Sequence, residues 1–185
     1  MNELQTLYEQ CLTCTRCPLS GSRTNIVFGQ GNPGSHVLFV GEAPGEKEDL
    51  CGQPFVGRAG MLLTKVMEQA GLDRKDVYIT NILKCRPPQN RDPNREEEQA
   101  CLPYLLEQIR LVRPVLTVCL GRIAASRLIR PDFRIMKEHG IMFETSFGPA
   151  MAILHPAAVL RNIRQMDLFV ADMNQIARIV KGSEG

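Results

Sequence analysis

The chain has 185 residues, 44% hydrophobic and 23% charged, with a formal net charge of +2. This is the balance of a soluble globular protein of one domain, long enough for a sizeable core, and its charge neither demands nor excludes a nucleic-acid partner. No apolar run approaches the ~20 residues that span a bilayer, and the N-terminal segment lacks the basic-then-apolar order of a signal peptide, so a cytoplasmic protein without membrane attachment is expected. In that compartment the seven cysteines point to metal or chemistry rather than to disulfides.

Leu4, Leu7, Tyr8 and Cys11 recur at helical spacing and predict a first amphipathic helix. Cys14 and Cys17 follow, then a turn-rich stretch to Gly34. Val37 to Val40 is short, apolar and β-branched, as a buried strand should be. Gly41 ends it, Glu42 follows at once, and Pro44, Gly45, Gly52, Pro54, Gly57 and Gly60 then break up any helix or strand. Leu62, Leu63, Val66, Met67 and Ala70 mark one face of a helix that Gly71 terminates.

Val77 to Ile82 predicts a second strand, and Lys84 to Arg95 a proline-broken basic loop. Asn94 with Glu97 three residues on resembles a capping box, opening a helix toward Val112 that Pro103 should kink or start late. Val115 to Leu120 reads as a third strand closed by Gly121, followed by a short helix to Leu128. Ile141 to Phe147 suits a side strand or hairpin arm, and Ala150 to Leu154 a fourth core strand ending at His155-Pro156. A last helix shows Ile163, Met166, Phe169, Val170, Met173, Ile176, Ala177 and Val180 on one face. Apolar strands alternating with helices predict a single-domain three-layer α/β/α sandwich over residues 1–185, with a central, mostly parallel four-stranded sheet.

In open α/β sheets, ligands bind beyond the carboxyl ends of the strands. Glu42, Asn81, Gly121 and His155 each sit at such an end, so one cleft would receive a carboxylate, an amide and an imidazole. Phe55 adds a flat apolar face to the glycine-rich loop after the first strand. Neither a phosphate loop nor a dinucleotide fingerprint is present.

Cys14 and Cys17, with Cys85 and Cys101 far along the chain, suit a four-thiolate site for either zinc or an iron–sulfur cluster. Cys11 stands at equal spacing before Cys14, so spacing alone leaves the first pair open. Cys119, inside a strand, reads as a small buried hydrophobe, and so do Cys11 and Cys51.

Together, Cys14-x-x-Cys17-Pro-Leu with Arg23, Gly41-Glu42-Ala43-Pro44-Gly45, Pro54-Phe55-Val56-Gly57, Thr80-Asn81 with Lys84-Cys85-Arg86-Pro87, Cys101 and His155-Pro156-Ala157-Ala158 resemble the family 4 uracil-DNA glycosylases. That family is the iron–sulfur branch of the uracil-DNA glycosylase superfamily, and the resemblance covers nearly the whole chain. It implies a monofunctional glycosylase that flips uracil out of single- or double-stranded DNA and hydrolyses the N-glycosidic bond, the opening step of base-excision repair. It also selects Cys14 over Cys11 and implies a [4Fe-4S] cluster on Cys14, Cys17, Cys85 and Cys101, tying residues 1–34 to the core. One branch of the superfamily bonds covalently to its product through a histidine in the loop after the third cluster cysteine. Arg86 to Arg95 has none, so ordinary turnover is expected, and the protein is separately expected to be a monomer.

By the same resemblance Gly41, Glu42, Ala43, Phe55, Asn81 and His155 bind the base, with Glu42 and His155 catalytic. An asparagine amide can meet the O4 and N3–H edge of uracil with one donor and one acceptor, although an Asn at a strand end also serves as a turn cap. His155 would donate to uracil O2, against the plain alternative of a packed histidine; Glu42 would orient water or stabilise a sugar cation. Glu48, Asp49 and Asn90 are candidates to assist, although a solvated acidic loop accounts equally for the first two. No lysine stands out as a Schiff-base nucleophile, so base excision without strand cleavage is expected. Lys84, Arg86, Arg91 and Arg95 suit a phosphate-contacting patch, and Val159, Leu160 and Arg161 a duplex-entering wedge with a cationic anchor. A competing reading, a non-catalytic iron–sulfur DNA-binding or polymerase-accessory module, keeps the cysteines and the basic loop but has no use for Glu42, Phe55, Asn81 and His155 together.

Overall fold

A computed structural model describes residues 3–183. Residues 1–2 and 184–185, which the single-domain expectation included, lie outside the described residues. Among the described residues six strands form one sheet: β1 (Gln30–Gly31), β2 (Val37–Gly41), β3 (Tyr78–Asn81), β4 (Leu116–Leu120), β5 (Met142–Thr145) and β6 (Gly148–Ile153), in the order β1-β3-β2-β4-β6-β5. β3, β2, β4 and β6 run parallel to one another, and these are the four strands expected from their apolar runs. The count of four is corrected by two antiparallel edges. β1 is two exposed residues, too short to leave a pattern, and β5 is the hairpin arm anticipated within 141–147.

Among the described residues eight α-helices surround the sheet: α1 (Glu3–Leu12), α2 (Glu46–Cys51), α3 (Arg58–Gln69), α4 (Arg95–Val112), α5 (Arg122–Leu128), α6 (Ile135–Glu138), α7 (Pro156–Arg161) and α8 (Met166–Gly182). Alternation along β2 assigns them to two layers. Leu38 and Val40 pack with Leu4 of α1, Leu105 of α4 and Ala124 of α5. Val37 and Phe39 point the other way, onto Leu63 of α3, Val159 of α7 and Phe169 of α8. All five residues of β2 are buried, as a strand covered on both faces requires. Truncating a core aromatic such as Phe39 costs about 3–5 kcal/mol.

Three local expectations are corrected. The stretch after Glu42 contains a helix, α2, because 46–51 holds no Gly or Pro, its acidic residues suit the N-terminus, and Gly52 closes it at φ +73°. α4 runs unbroken through Pro103, which is exposed like Gln99, so the carbonyl that loses its partner stays near water. Ile163 does not join the last helix; it sits 65% exposed in a short 3₁₀ turn before α8. The anticipated capping box is present, with Asn94 accepting from Glu97 N–H at 2.9 Å and Glu97 from Asn94 N–H at 3.0 Å.

Candidate active site

The chain leaves β2 toward β3 on one side, then crosses back to β4 on the other, which opens a crevice at the carboxyl end of the sheet. A cleft of about 330 Å³ lies there, walled by Glu42, Ala43, Phe55, Asn81 and His155, with Pro87, Asn90 and Arg91 above and Arg161 at its rim. Three of the four expected strand-end residues therefore meet in one place. The fourth, Gly121, lines an adjoining cleft of about 440 Å³ that shares Glu42 and His155 as its wall. Gly41 does not line the first cleft. A Cβ on it would collide with Asn81 Oδ1 and the Phe55 ring, so its bareness lets those two groups approach each other.

Asn81 is 1% exposed, and its Oδ1 is buried with no hydrogen-bond donor among the described residues. A buried acceptor without a partner is costly, and at a cleft wall the natural remedy is a ligand N–H. Phe55 stands beside it, its ring 5.9 Å from that of His155 and tilted by 36°. Its backbone is left-handed, φ +51°, which a non-glycine residue holds only when its surroundings enforce it. Glu48 Oε1 accepts from Val56 N–H at 2.9 Å and Gly57 N–H at 2.8 Å, while Arg74 donates to the Pro54 carbonyl at 2.6 Å and to Thr64 Oγ1 at 2.8 Å. Gly60 leaves room for the Phe55 main chain, where a Cβ would clash. Glu48 is thus a brace for the Phe55 loop. Asp49 is neither solvated nor in the cleft, since it is buried and accepts from Thr24 and Asn25 N–H.

Glu42 and His155 are shifted in opposite senses by the same cause. Burial, reinforced by Asp92 and opposed by Arg122, raises the Glu42 carboxyl from 4.5 to about 7. Burial, aided by Arg161, lowers His155 to about 4, so its imidazole is neutral at physiological pH. His155 Nδ1 accepts from Ala157 N–H at 3.0 Å, at the N-terminus of α7. That bond puts the ring proton on Nε2, making it a neutral donor.

The basic loop divides. Lys84 is not a phosphate contact: it is 1% exposed, and its ammonium is held by Thr80 Oγ1 at 2.6 Å, Asn81 O at 2.7 Å and Gln108 Oε1 at 2.6 Å. Arg86 donates to Asn90 Oδ1 at 2.7 Å, which gives Asn90 a role in shaping the loop. Arg91 forms a bidentate pair with Glu97, at 2.6 and 3.0 Å, and still lines the cleft. Arg95 is exposed at the start of α4. In the expected wedge, Val159 is fully buried core, whereas Leu160 is 38% exposed and Arg161 reaches the cleft. Sequence reading missed Arg74, whose bond to Pro54 leaves no sequence signal. It also missed Arg122, which directly follows the strand-end Gly121 and was open to the same rule.

Cys14, Cys17, Cys85 and Cys101 line one small cavity, joined by Cys11 from the last turn of α1. Among the described residues no group of three or more His, Cys, Asp or Glu is placed to hold a single metal ion. The cavity has an all-thiol donor set, and three cations, Arg16, Arg23 and Lys84, line it with no carboxylate. Arg23 donates to Cys14 O at 2.8 Å and approaches Cys85 Sγ at 3.5 Å; Lys84 N–H donates to Cys101 Sγ at 3.3 Å. Cys51 is exposed, and Cys119 is buried in β4 with its thiol pushed up to about 12. Among the described residues no helix is long and apolar enough to cross a membrane.

The family profile described as the uracil DNA glycosylase superfamily matches residues 28–178. The chain is 43% identical to the type-4 uracil-DNA glycosylase of Archaeoglobus fulgidus, over 97% of this chain and 94% of that protein. It is 45% identical to the protein of that name from Thermotoga maritima, over 86% and 84%, and 45% identical to the one from Pyrobaculum aerophilum, over 86% and 85%. By sequence match along most of its length, the chain belongs to the uracil DNA glycosylase superfamily.

Proposed function

We propose that this protein excises uracil from DNA by hydrolysing the N-glycosidic bond, leaving an abasic site without cutting the strand. The observation that carries this is the unpartnered Asn81 Oδ1 in the same cleft as the Phe55 ring, Glu42 and His155. A base buried in the duplex cannot reach such a cleft, so the nucleotide is flipped out, at a cost of a few kcal/mol in unstacking. Phe55 covers one face of the ring. Asn81 Oδ1 accepts from uracil N3–H while the other end of its amide meets O4.

His155 Nε2–H donates to O2 as the base departs. Because the imidazole is neutral, it stabilises the uracil anion by hydrogen bonding without handing over its proton. Glu42 acts in its ionised form, whether it aims a water at C1′ or opposes the charge growing on the sugar. A carboxyl near 7 is poised at the operating pH, so activity rises as pH rises through about 7. Among the described residues no lysine lines the cleft, which supports hydrolysis rather than a lyase step.

The same reading assigns a [4Fe-4S] cluster to Cys14, Cys17, Cys85 and Cys101. The donor set fits: the thiols share one cavity, and surrounding cations with no carboxylate suit an anionic group. When bound, the cluster supplies a covalent staple between the N-terminal segment and the loop that carries Pro87, Asn90 and Arg91 to the cleft, making 1–185 one domain. Arg91 and Arg161 at the rim, with Arg86, Arg95 and Leu160 nearby, face the DNA, and the protein acts as a cytoplasmic monomer. Incubation with a uracil-containing oligonucleotide, then alkaline cleavage, tests the function: strand breaks at the uracil alone are expected, and an intact strand refutes it.

A further inference from the structure

The cavity of cysteines and the cleft that reads the base share one side chain. Lys84 is almost wholly buried, yet among the described residues no carboxylate pairs with it. Its ammonium meets three neutral oxygens, those of Thr80, Asn81 and Gln108, with the Phe28 ring 6.0 Å away. A buried cation without a counter-ion is strongly destabilising, so three neutral acceptors are not a sufficient setting. The cysteine cavity is where a counter-charge could sit: Lys84 lines it next to Cys85, and its main-chain N–H donates to Cys101 Sγ at 3.3 Å. Neutral thiols would not supply that charge, but four thiolates around an iron–sulfur core carry a net negative one.

The other end of this arrangement is the base reader. Lys84 Nζ donates to the main-chain carbonyl of Asn81 at 2.7 Å and to the hydroxyl of Thr80, the preceding residue of β3. Thr80 in turn donates to the Phe28 carbonyl at 2.8 Å, and Gln108 Nε2 donates to the same carbonyl at 2.9 Å, so the carboxyl end of β3 is fixed within one buried polar network. Networks of this kind hold geometry only while each member is satisfied.

We propose that Lys84 is a positioning residue linking the two sites, neutralised by the cluster on one side and holding the Asn81 main chain in register on the other. This rests on the cluster reading above. Removal of the cluster would then loosen the base reader although no ligand cysteine touches uracil.

The test compares the unsubstituted protein with Lys84→Met, which keeps the length, and Lys84→Gln, which keeps a donor without the charge. Iron and sulfide per chain come first: an unsubstituted protein with neither overturns the cluster reading itself. With the cluster present in all three, its reduction potential should move to more negative values in both variants, since a nearby cation favours the extra electron. Single-turnover excision should fall at least tenfold while DNA affinity changes less than about twofold. An unchanged potential, or a shifted potential with an unchanged excision rate, overturns the proposal. Should neither variant fold, hydrogen exchange on the unsubstituted protein decides. Stripping the iron with a chelator should raise deuterium uptake at 78–83 while β6 stays protected, and either no rise there or an equal rise across the whole sheet overturns it.

Discussion

Replacing Glu42 by glutamine should stabilise the protein and disable it at once. The carboxyl binds its proton with a pKa of about 7 in the fold against 4.5 in the open chain. Between those values the folded state holds more protons than the unfolded one, so stability falls as pH rises from about 4.5 to about 7 and the loss is complete above that. At roughly 1.4 kcal/mol per pH unit the ceiling is about 3.5 kcal/mol, and the partial exposure of Glu42 brings it to about 1–2 kcal/mol. Glu42→Gln keeps the shape and removes this cost. Urea denaturation at pH 8 should show the variant more stable by that amount, or by about 2–4 °C in Tm per kcal/mol, with a smaller gap at pH 5. Single-turnover excision should drop by ~10²–10³, and the rise of rate through pH 7 should disappear. Equal stability of the two proteins at pH 8 would refute the desolvated carboxylate, and a rate loss below tenfold would refute its role.

Asn81→Asp exchanges the amide donor for an acceptor, so uracil excision should fall by roughly 10²-fold or more, with trace cytosine excision if the new carboxyl shares a proton; an unchanged uracil rate makes Asn81 a turn cap. Arg74→Ala removes the bond to the Pro54 carbonyl and frees Phe55 from its left-handed backbone, so excision should slow about tenfold with DNA affinity preserved, and Arg74→Lys should recover part of it; equal rates in all three show that the loop is held without Arg74. Anaerobically purified protein should be brown with a broad visible band, and Cys85→Ser should lower iron content and folding yield whereas Cys119→Ser should not; stoichiometric zinc without sulfide rejects the cluster.

The four parallel strands were legible because a strand buried on both faces must be largely apolar, as Val37 to Val40 are throughout and Leu116 to Leu120 are apart from Thr117. From them the strand-end rule brought Glu42, Asn81 and His155 together without further knowledge. Long polar side chains were not legible. Lys84 reads as one of four loop cations, yet it turns inward because Thr80, Asn81 and Gln108 present oxygens there, and Gln108 is 24 residues away. Asp49 and Glu48 read equally as assistants to the site or as solvated acids, yet both spend their oxygens on backbone N–H groups, Asp49 on Thr24 far back in the chain and Glu48 on Val56 in the loop that follows. Val159 and Leu160 are both apolar neighbours, and only the packing of α7 on α3 decides that the first is core and the second surface. Periodicity reports which face is apolar; it carries no information on where a charged tip finds its partner.

The opposed behaviour of Glu42 and His155 follows from one property of the sheet rather than from two separate devices. Both groups stand beyond the buried end of a strand, Glu42 directly after β2 and His155 two residues after β6, and such a position combines a desolvating floor with main-chain groups that have left the ladder. Desolvation disfavours whichever form is charged, so it drives the carboxyl up and the imidazole down. Helix α7 fixes the tautomer, because the Ala157 N–H donated to His155 Nδ1 leaves the ring proton on Nε2. Arg161, one turn further along the same helix, adds a repulsive charge. A cationic histidine would be a stronger acid, but its charge would also draw a carboxylate or a phosphate into a cleft whose partner is a neutral base. On the proposed reading, a neutral donor leaves Glu42 as the one group of the pair that carries charge beside the sugar, increasingly so as pH rises through about 7.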